Sequence, residues 1–182
     1  MYSYLREAYQ DVDIFKVDFW KLGNMIENMA YNGDWKPFFI YLTEQIKEQT
    51  AIRDYLNGEK VIQGFLLAYL NVADYFITQS EQEMNKGFSD IYLEPFLVRY
   101  PGVAYSYIIE MKYVSRSNFS ESEMSKKVSE AQIQALQYAQ SQRVKRTVGT
   151  TTLKKIVLVY SGWELVYCEE CQYCEECQLT IQ

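Results

Sequence analysis

No histidine occurs anywhere in the 182 residues. That absence excludes serine-type triads, imidazole general-base chemistry and histidine-ligated zinc together. No GxxxxGK(S/T) loop is present, and no GxGxxG follows a strand pattern, so nucleotide hydrolysis and dinucleotide chemistry lack their phosphate cradles. No apolar run nears the roughly 20 residues that cross a bilayer. The amino end, MYSYLREAYQDVDIF, has no basic stretch followed by an apolar one and does not read as a signal peptide. A cytoplasmic protein without a membrane partner is the expectation. Chemistry is left to carboxylates, Lys, Tyr, Ser, Thr and the four Cys.

What is present is the profile of a folded domain. Apolar residues make up 48% and charged residues 23% of the chain, and its length is enough for one ordinary core with a helical extension. The net charge of −6 is unfavourable for a phosphate-rich partner. Its distribution softens that objection. Four of the excess acids, Glu169, Glu170, Glu175 and Glu176, sit in the last fifteen residues with no base, leaving −2 on the remainder. Arg143, Lys145, Arg146, Lys154 and Lys155 meanwhile follow one another with no acid among them, a candidate basic edge.

Periodicity divides the chain. Phe15, Phe19, Leu22, Ile26 and Met29 recur at helical spacing, and a second helix follows Pro37 through Phe38, Phe39, Leu42 and Ile46. Asn57-Gly58 marks a turn. GEKVIQGFLLAYL then reads as a helix apolar on most sides, hence buried, with Glu59 at its start. The period next falls to two. Segments beginning at Asp74, Phe88 and Tyr105 read as three strands, separated by Asn85-Lys86-Gly87 and Pro101-Gly102. Ser120, with Glu123 three residues on, caps a long helix reaching roughly Gln142, lined by Met124, Val128, Ala131, Ala135 and Tyr138. Lys154 to Tyr160 and Glu164 to Tyr167 are two further strands. The order helix, three strands, helix, two strands makes an α/β protein with one mixed sheet flanked by helices.

The chemistry gathers on the strands. In YIIEMK, alternation puts Glu110 and Lys112 on one side of the strand and Ile109 and Met111 on the other. Asp90 lies on the preceding strand, so hairpin pairing would bring the two acids together. Neighbouring buried carboxylates repel unless a cation lies between them, and Mg²⁺ or Mn²⁺ satisfies oxygen ligands of this kind. Such a metal polarises a phosphate oxygen and activates a water, and Lys112 would stabilise the developing charge. A Glu-x-Lys tripeptide alone recurs by chance about once in a chain of this size. The weight comes from the ordered set: Glu59, Asp90, Glu110 with Lys112, then Gln134 within A-x-x-Q-x-x-x-Y.

That set resembles the PD-(D/E)xK nuclease superfamily. The likeness extends over GDWKPFFIYLTEQI, IRDYLNGEKVIQGFLLAYLN, EMNKGFSDIYLEPFLVRYPG, YIIEMKYV and LKKIVLVYSGWELVY, about residues 30 to 167. These segments are similar to the carboxyl-terminal nuclease domain of bacterial AAA-ATPase-like proteins. The resemblance implies a restriction-endonuclease-like fold, with an amino-terminal helical extension over 1–50, the nuclease-like domain over 51–167 and a Cys/Glu-rich tail over 168–182. It implies Asp90, Glu110, Lys112 and Gln134 as catalytic residues and Glu59, Asp90 and Glu110 as metal ligands. Ser89 replaces the family's Pro without removing a ligand. The implied activity is divalent-metal-dependent hydrolysis of phosphodiesters in DNA, with RNA as the alternative substrate. A catalytically silent or latent module working with an AAA-type ATPase is the alternative function. No ATPase motif occurs, so the chain reads as a fragment or a free-standing form of the nuclease part.

Cys168, Cys171, Cys174 and Cys177 form C-x2-C-x2-C-x2-C. The spacing suits thiolate ligation of zinc or an iron–sulfur cluster. Four flanking Glu would add negative charge to such a site, which favours a tail that is disordered or extends a strand.

Overall fold

Alternation along one central strand organises the molecule. The computed structural model describes residues 18–49, 58–80 and 91–171. Their elements are helices α1 (Phe19–Asn32), α2 (Lys36–Gln49) and α3 (Gly58–Leu70), strands β1 (Phe76–Ser80), β2 (Ile91–Pro95) and β3 (Tyr105–Val114), helices α4 (Glu121–Ala139) and α5 (Gln142–Thr147), and strands β4 (Thr152–Ser161) and β5 (Glu164–Glu170). The strands form one open sheet in the order β1-β2-β3-β4-β5. β1–β2, β2–β3 and β4–β5 are antiparallel, and β3–β4 is parallel over ten residues, from Tyr105↔Thr152 to Val114↔Ser161. A parallel pair requires a crossover, and α4 with α5 supplies it. The mixed α/β architecture is the one the sequence implies.

The two faces of the sheet bury different sets. Tyr107, Ile109 and Met111 of β3, with Ile156, Leu158 and Tyr160 of β4, enter the main core together with Leu22, Phe38, Phe39, Leu42, Ile62 and Leu66 from α1, α2 and α3. The helices of residues 19–49 therefore share a core with the sheet. On the other face, Val114, Val157 and Val159 pack on Ala131, and Tyr92 and Ile108 pack on Ala135 and Val144.

Local chemistry sets the helix ends. The Asp18 carboxylate accepts from the Lys21 N–H at 2.9 Å and starts α1. Gly33, at φ 72°, ends it in the left-handed conformation, where a Cβ would stand 2.8 Å from the Tyr105 ring. Ser120 caps α4 as its sequence indicates, its hydroxyl accepting from the Glu123 N–H at 3.1 Å. The helix stops at Ala139, however, short of Gln142. Ser141 is the reason: its hydroxyl accepts from the Val144 N–H and begins α5 as a separate turn. The strand starts also shift: β1 begins at Phe76 and β5 continues to Glu170, past Tyr167. Among the described residues no helix is long and apolar enough to cross a membrane.

Candidate active site

The side of β3 turned toward α4 carries Ile108, Glu110, Lys112 and Val114. A hydrocarbon row there would have made a second dry core. Instead Glu110, wholly buried, lies beside Lys112, whose side chain is 15% exposed. The Lys112 ammonium donates to Glu110 Oε1 at 2.6 Å. It also donates to the amide oxygen of Gln134, midway along α4. An ammonium only donates, so the amide must present its oxygen on this side. Three of the five residues singled out in the sequence, Glu110, Lys112 and Gln134, thus form one hydrogen-bonded group.

That group is incompletely satisfied. Glu110 Oε2 is buried and has no hydrogen-bond partner among the described residues. An orphaned carboxylate oxygen carries a desolvation cost of about 1–3 kcal/mol or more, and burial of a charge in this form is sustained when a cation completes its shell. The free oxygen is of the kind a hard divalent ion takes as a ligand. Among the described residues no group of three or more acidic or thiol side chains could hold a metal ion. Asp90, the proposed second acid, lies outside the described residues, as do Ser89 and the Asn85-Lys86-Gly87 turn.

Glu59 makes no hydrogen bond with this group among the described residues. It lies half-buried in the first turn of α3, a helix that packs on the Tyr107–Ile109–Met111 face. Two residues that the sequence reading passed over do adjoin the group. Lys127 donates to Glu130 at 2.9 Å, and Glu130 lies one helical turn before Gln134. The Lys127 hydrogen bond holds the Glu130 carboxyl below its ordinary range, and the charges of Lys126 and Lys112 act in the same direction. The 127, 130, 134 spacing places all three along one helical face, the signal that could have found them.

The basic edge is partly neutralised. Arg143 pairs with Glu94 at 3.3 Å and Lys154 with Glu170 at 2.8 Å. The cysteines also separate. Cys168, in β5, packs into the main core, whereas Cys171 packs against the α4 side with its Sγ 3.9 Å from the Gln132 carbonyl oxygen. Two thiols on opposite faces of a sheet do not share one ion. The first part of the tail extends a strand, and Cys174 and Cys177 lie outside the described residues.

The mixed sheet, its crossover helix and the Glu–x–Lys pair on the central strand define an α/β nuclease-like domain. The family model of the PD-(D/E)XK nuclease superfamily matches residues 57–170, and the chain belongs to that superfamily. No curated protein and no solved structure matches it significantly.

Proposed function

We propose that the chain is a divalent-metal-dependent nuclease that hydrolyses phosphodiester bonds in DNA, with Glu110 and Asp90 as the principal metal ligands. The observation that carries the reading is the buried Glu110, with one oxygen on Lys112 and the other without a partner. The second ligand rests on the sequence resemblance. The β2–β3 ladder pairs Ile91 with Ile109, and Asp90 precedes Ile91 in the chain but lies outside the described residues. Glu59 is proposed as a further ligand on the resemblance alone.

A bound Mg²⁺ or Mn²⁺ would supply Lewis-acid polarisation of the phosphate and a water of lowered pKa. The chain's own residues do the rest. Lys112 holds a fixed positive charge where the phosphoryl oxygens gain negative charge. Gln134 keeps that ammonium in place from α4, and the packing of Ala131 and Ala135 against the sheet keeps α4 in register. The same proposal includes work with an AAA-type ATPase, on the strength of the sequence likeness, and DNA ahead of RNA as substrate.

The test is cleavage of labelled DNA and RNA by the purified chain with Mg²⁺ or with EDTA, alongside Glu110→Gln and Lys112→Ala. Metal-dependent cleavage by the parent, lost in Glu110→Gln and lowered by about 10²–10³-fold in Lys112→Ala while both remain folded, is the expected result. Undiminished cleavage by a Glu110→Gln/Lys112→Ala double variant would overturn the assignment. A chain that binds Mn²⁺ but cuts only when an ATPase partner is supplied would identify the latent form.

A further inference from the structure

The end of β3 beyond Lys112 carries a cation set apart from the others by its surroundings. Arg116 opens the short 3-10 turn Arg116–Asn118 that follows the strand. Its side chain lies along Gly162, in the turn between β4 and β5. A Cβ at Gly162 would stand 2.5 Å from Arg116 Nε, 3.0 Å from Cγ and 3.1 Å from Cδ, and Gly162 itself adopts φ 59°. Only glycine gives the arginine stem room to lie flat there. The same turn is tied to β3, since the Gly162 N–H donates to the Val114 carbonyl at 3.2 Å.

Among the described residues the guanidinium is nevertheless left without an acid. Arg99 pairs with Asp74 and Arg143 with Glu94, yet no hydrogen bond or ion pair joins Arg116 to any described residue, and the side chain is exposed. The left-handed turn conformation already favours glycine at 162, and the absent side chain leaves the space in which the arginine stem lies. A fixed stem with a free planar fork is the arrangement that binds phosphate bidentately at low entropic cost. Arg116 also follows Lys112 by four residues, two past the end of β3, so the two Cα atoms are at most about 14 Å apart. That span covers a few consecutive phosphates of one strand, spaced about 3.4 Å along the axis.

We infer that Arg116, seated on Gly162, contacts the nucleic-acid backbone beside the scissile phosphate and positions the strand over Lys112. The inference rests on the nuclease reading. The contact is to phosphate and carries no base preference.

The test measures binding of a fluorescein-labelled oligonucleotide across a salt series, with calcium replacing magnesium, together with steady-state cleavage in magnesium. Arg116→Gln, which retains a stem on Gly162, is expected to weaken binding about tenfold on unrelated sequences and to reduce the slope of log K against log salt by about one. KM should rise with kcat little changed, and the Mn²⁺ affinity and thermal midpoint should match the parent. Arg116→Lys should keep the salt slope. Parent-like binding and slope in Arg116→Gln would overturn the role of Arg116 while leaving the nuclease reading intact, as would a fall in kcat at unchanged KM. A parent chain that binds no oligonucleotide at any salt would overturn both.

Discussion

The two faces of the sheet are built from the same strands and use them differently. On one, Tyr107, Ile109 and Met111 meet three helices in a continuous apolar core, and the polar atoms there serve the frame: the Tyr107 hydroxyl donates to the Met29 carbonyl at 2.8 Å, and Tyr160 bonds Thr43 at 3.1 Å. On the other, Glu110 and Lys112 interrupt the hydrocarbon and meet Gln134 across a single helix. A two-residue period lets one strand anchor the fold with odd positions and offer charge with even ones. The stable face holds the costly face in place.

That contrast is sharpened most by Lys112→Ala. Cleavage should fall by about 10²–10³-fold, the usual scale for removing a preorganised charge at a transition state. Removal also strands the buried Glu110 carboxylate, at about 3–5 kcal/mol in a chemical-denaturation experiment. Added Mn²⁺ should recover part of that loss, because a cation would replace the ammonium. A fall in stability indifferent to metal would break the comparison.

Ile109→Ala, one residue from Glu110 but on the opposite face, should cost about 2–5 kcal/mol by cavity formation. The fraction that remains folded should still cleave within a few-fold of the parent. If activity vanished while the urea midpoint stayed put, the faces would not be separable in the way described.

The apolar face should also carry the alkaline sensitivity. Burial pushes the Cys168 thiol from 9.0 up to about 11, and burial pushes the Tyr160 hydroxyl from 10.0 up to about 12. In both cases the unfolded chain releases its proton first. Their contribution to stability is therefore fully present below about pH 9 and is lost as pH rises through 11 and 12. Cys168→Ala should remove the lower part of that decline, from pH 9 to 11, as measured by thermal midpoint against pH. The smallest effect is expected from Ser120→Ala, about 1 kcal/mol for a lost N-cap. Gln134 lies more than three turns away, so cleavage should be unchanged.

Much of this was legible in the sequence because it depended on local period. The alternation of Ile109, Glu110, Met111 and Lys112 gave their faces, and the 3.6-residue stripe on α4 put Gln134 with Ala131 and Ala135 toward the sheet. The Ser120 cap was readable from Glu123. Other features depended on contacts between residues distant in sequence. The pairing of Arg143 with Glu94, 49 residues away, removes a cation that looked available. Glu59 shares its helical face with Ile62 and Leu66, yet only the packing of α3 shows which side of the sheet that face meets. The separation of Cys168 from Cys171 was implicit in strand parity, but only once β5 was known to continue to Glu170. Ser141 was a capping residue hidden inside an apparently continuous helical pattern.

The central claim is that the α4 side of β3 is a metal site, and calorimetric titration with Mn²⁺ tests it most directly. The parent chain should bind Mn²⁺ with micromolar affinity, and Glu110→Gln, folded to the same extent, should bind at least about tenfold more weakly. Equal binding by the two proteins, or none by the parent, would contradict the account.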